Sequence, residues 1–148
     1  MDCNISVGFK TICISSRLSP VSLAQADLTM MDRGAVDLWK AMSFEIGERI
    51  KEPIAFFNRL LVPPKFRGQG IARRLLGEVL NLAESRQFNI LNQVHSSSAD
   101  FPNDELIAFY VRSGFQVLDR DLLLYEYGKP ENVSRIQALL SEAKTPPK

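Results

Sequence analysis

Apolar and polar side chains alternate at the start of the chain: Ile5, Val7 and Phe9, then Ile12 and Ile14, predict one or two short strands. Ser19-Pro20 predicts a short helix running to about Ala26. Asp32-Arg33-Gly34 reads as a turn between two strand-like runs, Leu28 to Met31 and Ala35 to Ile46. Ile54 to Val62 is apolar on both faces and stops at Pro63-Pro64, the pattern of a buried strand. The period then changes, with Ile71, Leu75, Val79, Leu82 and Ala83 tracing one face of a helix. A strand at Phe88 to Val94 follows, completing a strand–helix–strand unit. Ser96 to Asp100 reads as a loop. Asn103, Asp104 and Glu105 open a helix that Ser113-Gly114 closes. Val117 to Tyr127 predicts a final strand or hairpin. Pro130 begins a last helix, at about 130–143, with Val133, Ile136, Leu139, Leu140 and Ala143 on one side. Alternating strands and helices, with several consecutive strands early, predict a mixed α/β (α+β) sheet. The expected organisation is one domain over 1–144 and a frayed tail at 145–148.

Composition narrows the function classes. A chain of 148 residues, 45% hydrophobic and 24% charged, suits one soluble domain with a real core. Net charge is +1, so no global field favours nucleic acid or an anionic membrane. The basic excess at Lys65, Arg67, Arg73 and Arg74 is therefore local, and it suits a small anionic ligand. Cys3 and Cys13 lack CxxC or Cys/His spacing, so reduced thiols are expected, with neither a disulfide framework nor a metal site. No stretch has the form of a targeting signal or membrane span, which makes a cytoplasmic protein the expectation.

The densest chemistry lies between Leu60 and Leu76. An apolar strand end, a basic turn with Gly68 and Gly70, and the first turn of a helix follow one another. A helix begins on backbone N–H groups without intrahelical partners, and its dipole adds positive potential there. Glycines allow close approach to the main chain, and arginines add donors matched to phosphate oxygens. The segment reads as a phosphate cradle. A P-loop is excluded, because the one Gly-Lys pair, Gly128-Lys129, precedes Pro130. A dinucleotide fingerprint is excluded as well, because Arg73 stands where its third glycine belongs.

Arg67-x-x-Gly70-x-Ala72, preceded by Val62-Pro63-Pro64, resembles the pyrophosphate motif of the GCN5-related N-acetyltransferase (GNAT) family. A second element, Asn103-x-x-Leu106-x-x-x-Tyr110-x-x-x-Gly114-Phe115, is similar to a further motif of that family, in the family's order. The resemblance implies a GNAT fold: a twisted, mostly antiparallel sheet with a splayed parallel strand pair, flanked by helices. It implies acetyl-CoA as co-substrate, no metal, and transfer of the acetyl group to a primary amine by direct attack in a ternary complex. Main chain over Arg67, Gly68, Gln69, Gly70, Ile71 and Ala72, with the side chain of Arg73, would hold the pyrophosphate. Leu60, Leu61 and Val62 would pair with the pantetheine amides, and an N–H near Leu61 or Val62 would face the developing oxyanion. Asn103 would bond the cofactor or the adjoining loop. Tyr110 stands at the general-acid position.

Two departures from the family pattern bear on the acceptor. The strand before the phosphate turn carries only Asn58 and Arg59 as polar residues, so the base stays open among Glu45, Glu52, His95 and water. A lysine amine is only about 0.04% neutral at pH 7, against about 10% for an α-amine near pKa 8, so deprotonation matters more for the first. Between Ile14 and Leu28 there is room for one short helix where the family places two, which predicts a shallow cleft or one completed by another chain, as in a homodimer. Trp39 and Phe44 are expected to pack the sheet. The acceptor would be a small molecule or a protein or peptide amine; neither nucleic acid nor membrane is an expected partner. Two rival readings remain: a catalytically silent CoA-binding regulatory or structural module, and a toxin-like acetyltransferase of aminoacyl-tRNA.

Overall fold

The computed structural model describes residues 2–95 and 103–142, apart from the side chains of Phe44 and Glu142; the expected loop at 96–100, Ala143 and the tail lie outside them. Among the described residues, β1 (Asn4–Val7), β2 (Thr11–Ser19), β3 (Ser22–Met30), β4 (Ile54–Leu61), β5 (Asn89–Gln93), β6 (Gln116–Asp119) and β7 (Leu122–Tyr125) form one sheet. Its order is β1-β2-β3-β4-β5-β7-β6. Only β4 and β5 pair in parallel. The crossover between them is α3 (Ile71–Arg86), the helix that the 3.6-residue period marked.

Pleating sends alternate residues to opposite faces. One face of the sheet carries Ile12, Ile14, Ala24, Ala26, Leu28, Ala55, Phe57 and Ile90, and packs with Leu75, Leu76, Val79 and Ala83 of α3. Each leucine fully buried here contributes about 2 kcal/mol. The other face carries Ile54, Phe56, Leu91 and Leu124, covered by α1 (Arg33–Met42) and α2 (Phe44–Arg49) through Val36, Trp39, Ile46 and Ile50. Trp39 stacks on Phe56 with centroids 6.2 Å apart, so it packs the sheet as expected.

Three expectations fail. No helix occupies residues 19–26: Ser19 pairs with Ser22 across a tight turn, and β3 continues as a strand. Its alanines, helix formers in isolation, alternate into the core instead. The stretch from Ala35 to Ile46 is helical, because Asp32 is a helix cap rather than a turn residue. Its Oδ1 accepts from Ala35 N at 2.9 Å, and Lys10 Nζ lies 3.1 Å from its Oδ2. The chain therefore has two helices before the phosphate turn, but they follow β3, which removes the basis for expecting a cleft with a missing wall. Finally, Val133 of α5 (Pro130–Glu142) is 57% exposed, while Ile136 and Leu139 turn inward. That last helix lies against α3, where Gly77 leaves so little room that a Cβ would stand 2.8 Å from Leu140 Cδ2. Between these come α4 (Asn103–Arg112) and the β6–β7 hairpin, as the turn signals predicted. Among the described residues no helix is long and apolar enough to cross a membrane.

Candidate active site

The parallel pair is short. Ile54, Ala55 and Phe56 face Asn89, Ile90 and Leu91, and beyond that register β4 runs on to Leu61 without a parallel partner. The split coincides with a bulge. Leu28 pairs with Phe57 and Asp27 with Arg59, so Asn58 is an extra residue on β4. Its Nδ2 donates to Thr29 Oγ1 at 2.6 Å, fixing the kink. A bulged strand bends and twists more strongly, which draws the end of β4 away from β5 and frees its main chain on that side.

The turn that follows is built to expose main chain. Pro64–Phe66 form a single 3₁₀ turn, and Arg67 folds back so that its Nε donates to Val62 O at 3.2 Å. Gly68 and Gly70 have φ of 80° and 78°, a left-handed conformation that costs a side chain dearly and glycine nothing. Gly70 also occupies the N-cap of α3 without offering a side-chain acceptor, so the opening N–H groups of the helix are available to an anion.

Leu60, Leu61, Val62, Arg67, Gly68, Gly70, Ile71, Ala72, Arg73 and Tyr110 border a cavity of about 500 Å³ at this split. Two segments 40 residues apart, each chosen by a motif, thus meet at one opening. Gln69 and Asn103 are not on its wall. Arg74 points elsewhere and pairs with Glu78 at 3.3 Å. Phe66, His95, Leu106 and Phe109 complete the lining. Leu106 and Phe109 were legible in principle, since both share with Tyr110 the inward side of a helix opened at Asn103. Of the three candidate bases, only His95 reaches the cavity. Glu45 borders a separate recess with Arg49 and Leu118, and Glu52 pairs with Arg33 at 3.1 Å.

Tyr110 is 6% exposed and lies among aromatic rings: Phe109 at 5.2 Å, Phe115 at 5.4 Å and Phe57 at 6.0 Å between centroids. Burial pushes its phenol up to about 12, against a smaller opposing pull from the Asn92 amide. The hydroxyl is therefore protonated at neutral pH and can act as a donor. On the opposite face, Asp27 gathers Arg59, Gln25 and Cys13. Burial alone would raise its carboxyl, but hydrogen bonds from these three groups and the arginine charge hold it below its usual range. Arg59 is thus tied to Asp27.

The arrangement offers an anion site at a helix start, an apolar channel beside unpaired strand main chain, and a buried phenol. A family description, acetyltransferase (GNAT) domain, matches residues 32–117, more than half of the chain and all of this site. Similar solved structures include the anti-CRISPR protein AcrVA5, at 16% identity and a TM-score of 0.51, over 77% of this chain and 98% of that one. A tyrosine-to-phenylalanine mutant of KacT aligns at 15% identity and a TM-score of 0.49, over 86% of this chain and 74% of the other. The first of these likenesses supports the fold. No curated protein matches the chain.

Proposed function

The chain belongs to the GNAT acetyltransferase family, and from that premise we propose that it transfers an acetyl group from acetyl-CoA to a primary amine. One observation carries the reading: the glycine-bearing start of α3, the unpaired end of β4 and the Tyr110 ring border the same cavity. The residues fit a CoA ester on this structure's own terms. Left-handed Gly68 and Gly70 leave the main chain bare at the helix start, where a diphosphate would find N–H donors and the guanidinium of Arg73. Leu60 to Val62 present strand amides to a pantetheine arm, and Ile71, Leu106 and Phe109 give it apolar walls. When bound, the cofactor supplies an acyl group already activated as a thioester. The protein orients that group, keeps water from it, and offers an N–H near Leu61 or Val62 to the charge that develops on the carbonyl oxygen. Tyr110 holds its proton until a thiolate departs, then gives it up from Oη. His95 at the rim, or solvent, takes the proton from the incoming amine.

Calorimetry with CoA, followed by thiol release with peptide, polyamine, aminoglycoside and aminoacyl-tRNA acceptors, tests this reading. Micromolar binding and turnover with one acceptor class are expected. Absence of CoA binding overturns it, and binding with no turnover on any amine makes the chain a silent CoA-binding module. The panel also decides whether the amine is carried by a small molecule, a peptide or a tRNA.

A further inference from the structure

Asn92 is an asparagine in an unusual place. It lies on β5 just past the last parallel pair with β4, and it is 4% exposed. Its neighbours on the same face, Ile90 and Val94, are apolar core. Its Nδ2 atom is sealed from solvent and has no hydrogen-bond partner of normal geometry among the described residues. The amide lies near enough to the Tyr110 hydroxyl to pull the ionisation of that phenol down against the effect of burial. A buried donor left without a partner is destabilising, and an apolar residue would serve the strand better. The aromatic cage of Phe57, Phe109 and Phe115 surrounds the Tyr110 ring without offering its oxygen a polar contact.

We propose that Asn92 is a positioning residue for Tyr110: its side-chain N–H approaches the phenol oxygen from the sheet side, so that the hydroxyl hydrogen is aimed into the cleft. The inference rests on the reading of Tyr110 as proton donor. During transfer the Oη–H bond of Tyr110 breaks as an S–H bond forms on the leaving thiolate. The phenolate oxygen is then held by Asn92 Nδ2–H, and it regains, through solvent, the proton that the acylated nitrogen sheds. Asn92 thus stabilises the charged form of a phenol that the surrounding rings cannot stabilise. It touches neither the acyl group nor the acceptor.

The test uses the full chain with Asn92→Leu, Tyr110→Phe and the double variant, and Asn92→Asp as a second probe that keeps the volume but replaces donor by acceptor. Asn92→Leu is expected to lower kcat about tenfold while leaving KM for the acetyl donor and the calorimetric CoA affinity within about twofold. In the Tyr110→Phe background the same change should alter kcat less than about twofold. With ¹³Cζ-labelled tyrosine and no ligand, the Tyr110 resonance should shift in both Asn92 variants. Equal losses in the two backgrounds, or a Tyr110 resonance that does not move, overturn the proposal. If CoA binds and no acceptor is acetylated, the proposed function fails while the resonance still decides the Asn92–Tyr110 contact.

Discussion

Two tyrosines flank Phe115 in one aromatic cluster, and their hydroxyls meet opposite surroundings. Tyr110 and Tyr125 both contact Phe115, at 5.4 and 5.5 Å between centroids, and both are buried. Tyr125 donates to Glu84 Oε2 at 2.6 Å. The same carboxylate accepts from Asn132 Nδ2 at 3.0 Å and Gly128 N at 2.9 Å, so the phenol is one strand of a knot joining β7, α3 and the start of α5. Burial first, and then the Glu84 carboxylate, drive its ionisation out of the working range. Among the described residues no carboxylate stands beside the Tyr110 hydroxyl. That residue lies near an asparagine amide and borders the cavity. A buried hydroxyl with a strong acceptor is committed to structure, whereas one held only loosely can lend its proton.

Exchanging each phenol for phenylalanine should separate the two roles most sharply. Tyr110→Phe is expected to lower kcat for acetyl transfer by about 10² or more, the scale of a general acid, while the chain still unfolds cooperatively in urea. A variant as active as the parent would remove the contrast. Next in size, Gly70→Val tests whether the cleft end depends on bare main chain. At φ 78° a β-branched side chain costs about 2 kcal/mol, and it would also block the helix start. CoA affinity should drop at least tenfold by calorimetry. At the Glu84 end, Tyr125→Phe should keep kcat within about twofold yet cost about 1 kcal/mol in urea, as one acceptor loses its donor.

The smallest effect concerns pH and lies away from both tyrosines. The carboxyl of Asp32 is held below its usual range, first by the Ala35 N–H and then by Lys10. A depressed pKa in the folded state adds stability that is complete above the unfolded value, about 3.9. That stability drains as the pH falls through the folded value. Between about pH 5 and 8 the contribution is flat, and below about pH 4 it declines. Asp32→Asn should therefore flatten the acid limb of the stability curve measured by thermal melts, and leave the limb above pH 5 parallel to the parent's.

Much of the cleft end was legible in the order of residues, because the signals there are local. A helix period over Ile71 to Ala83, two prolines that stop a strand, and glycines beside an arginine all act within a few residues of one another. Tyr110 was singled out by resemblance, through its place between Asn103 and Gly114 in a pattern similar to a motif of the GNAT family. Ser19 to Ala26 misled because its fate depends on strands to either side, whereas Ala35 to Ile46 misled because Asp32 was read as a turn residue and not as a cap. An alanine-rich stretch became a strand where β2 offered a ladder, and a run containing Val36 and Trp39 became a helix once Asp32 capped it. What separates Tyr110 from Tyr125, and what makes Asn92 more than a polar residue in a strand, is held in no local pattern. Chain order alone determined the elements that carry the chemistry. The bulge at Asn58, the neighbour of each phenol oxygen and the opening of His95, rather than Glu45 or Glu52, onto the cavity belong to tertiary packing, because hydrogen-bond partners and burial are properties of segments brought together from separate parts of the chain.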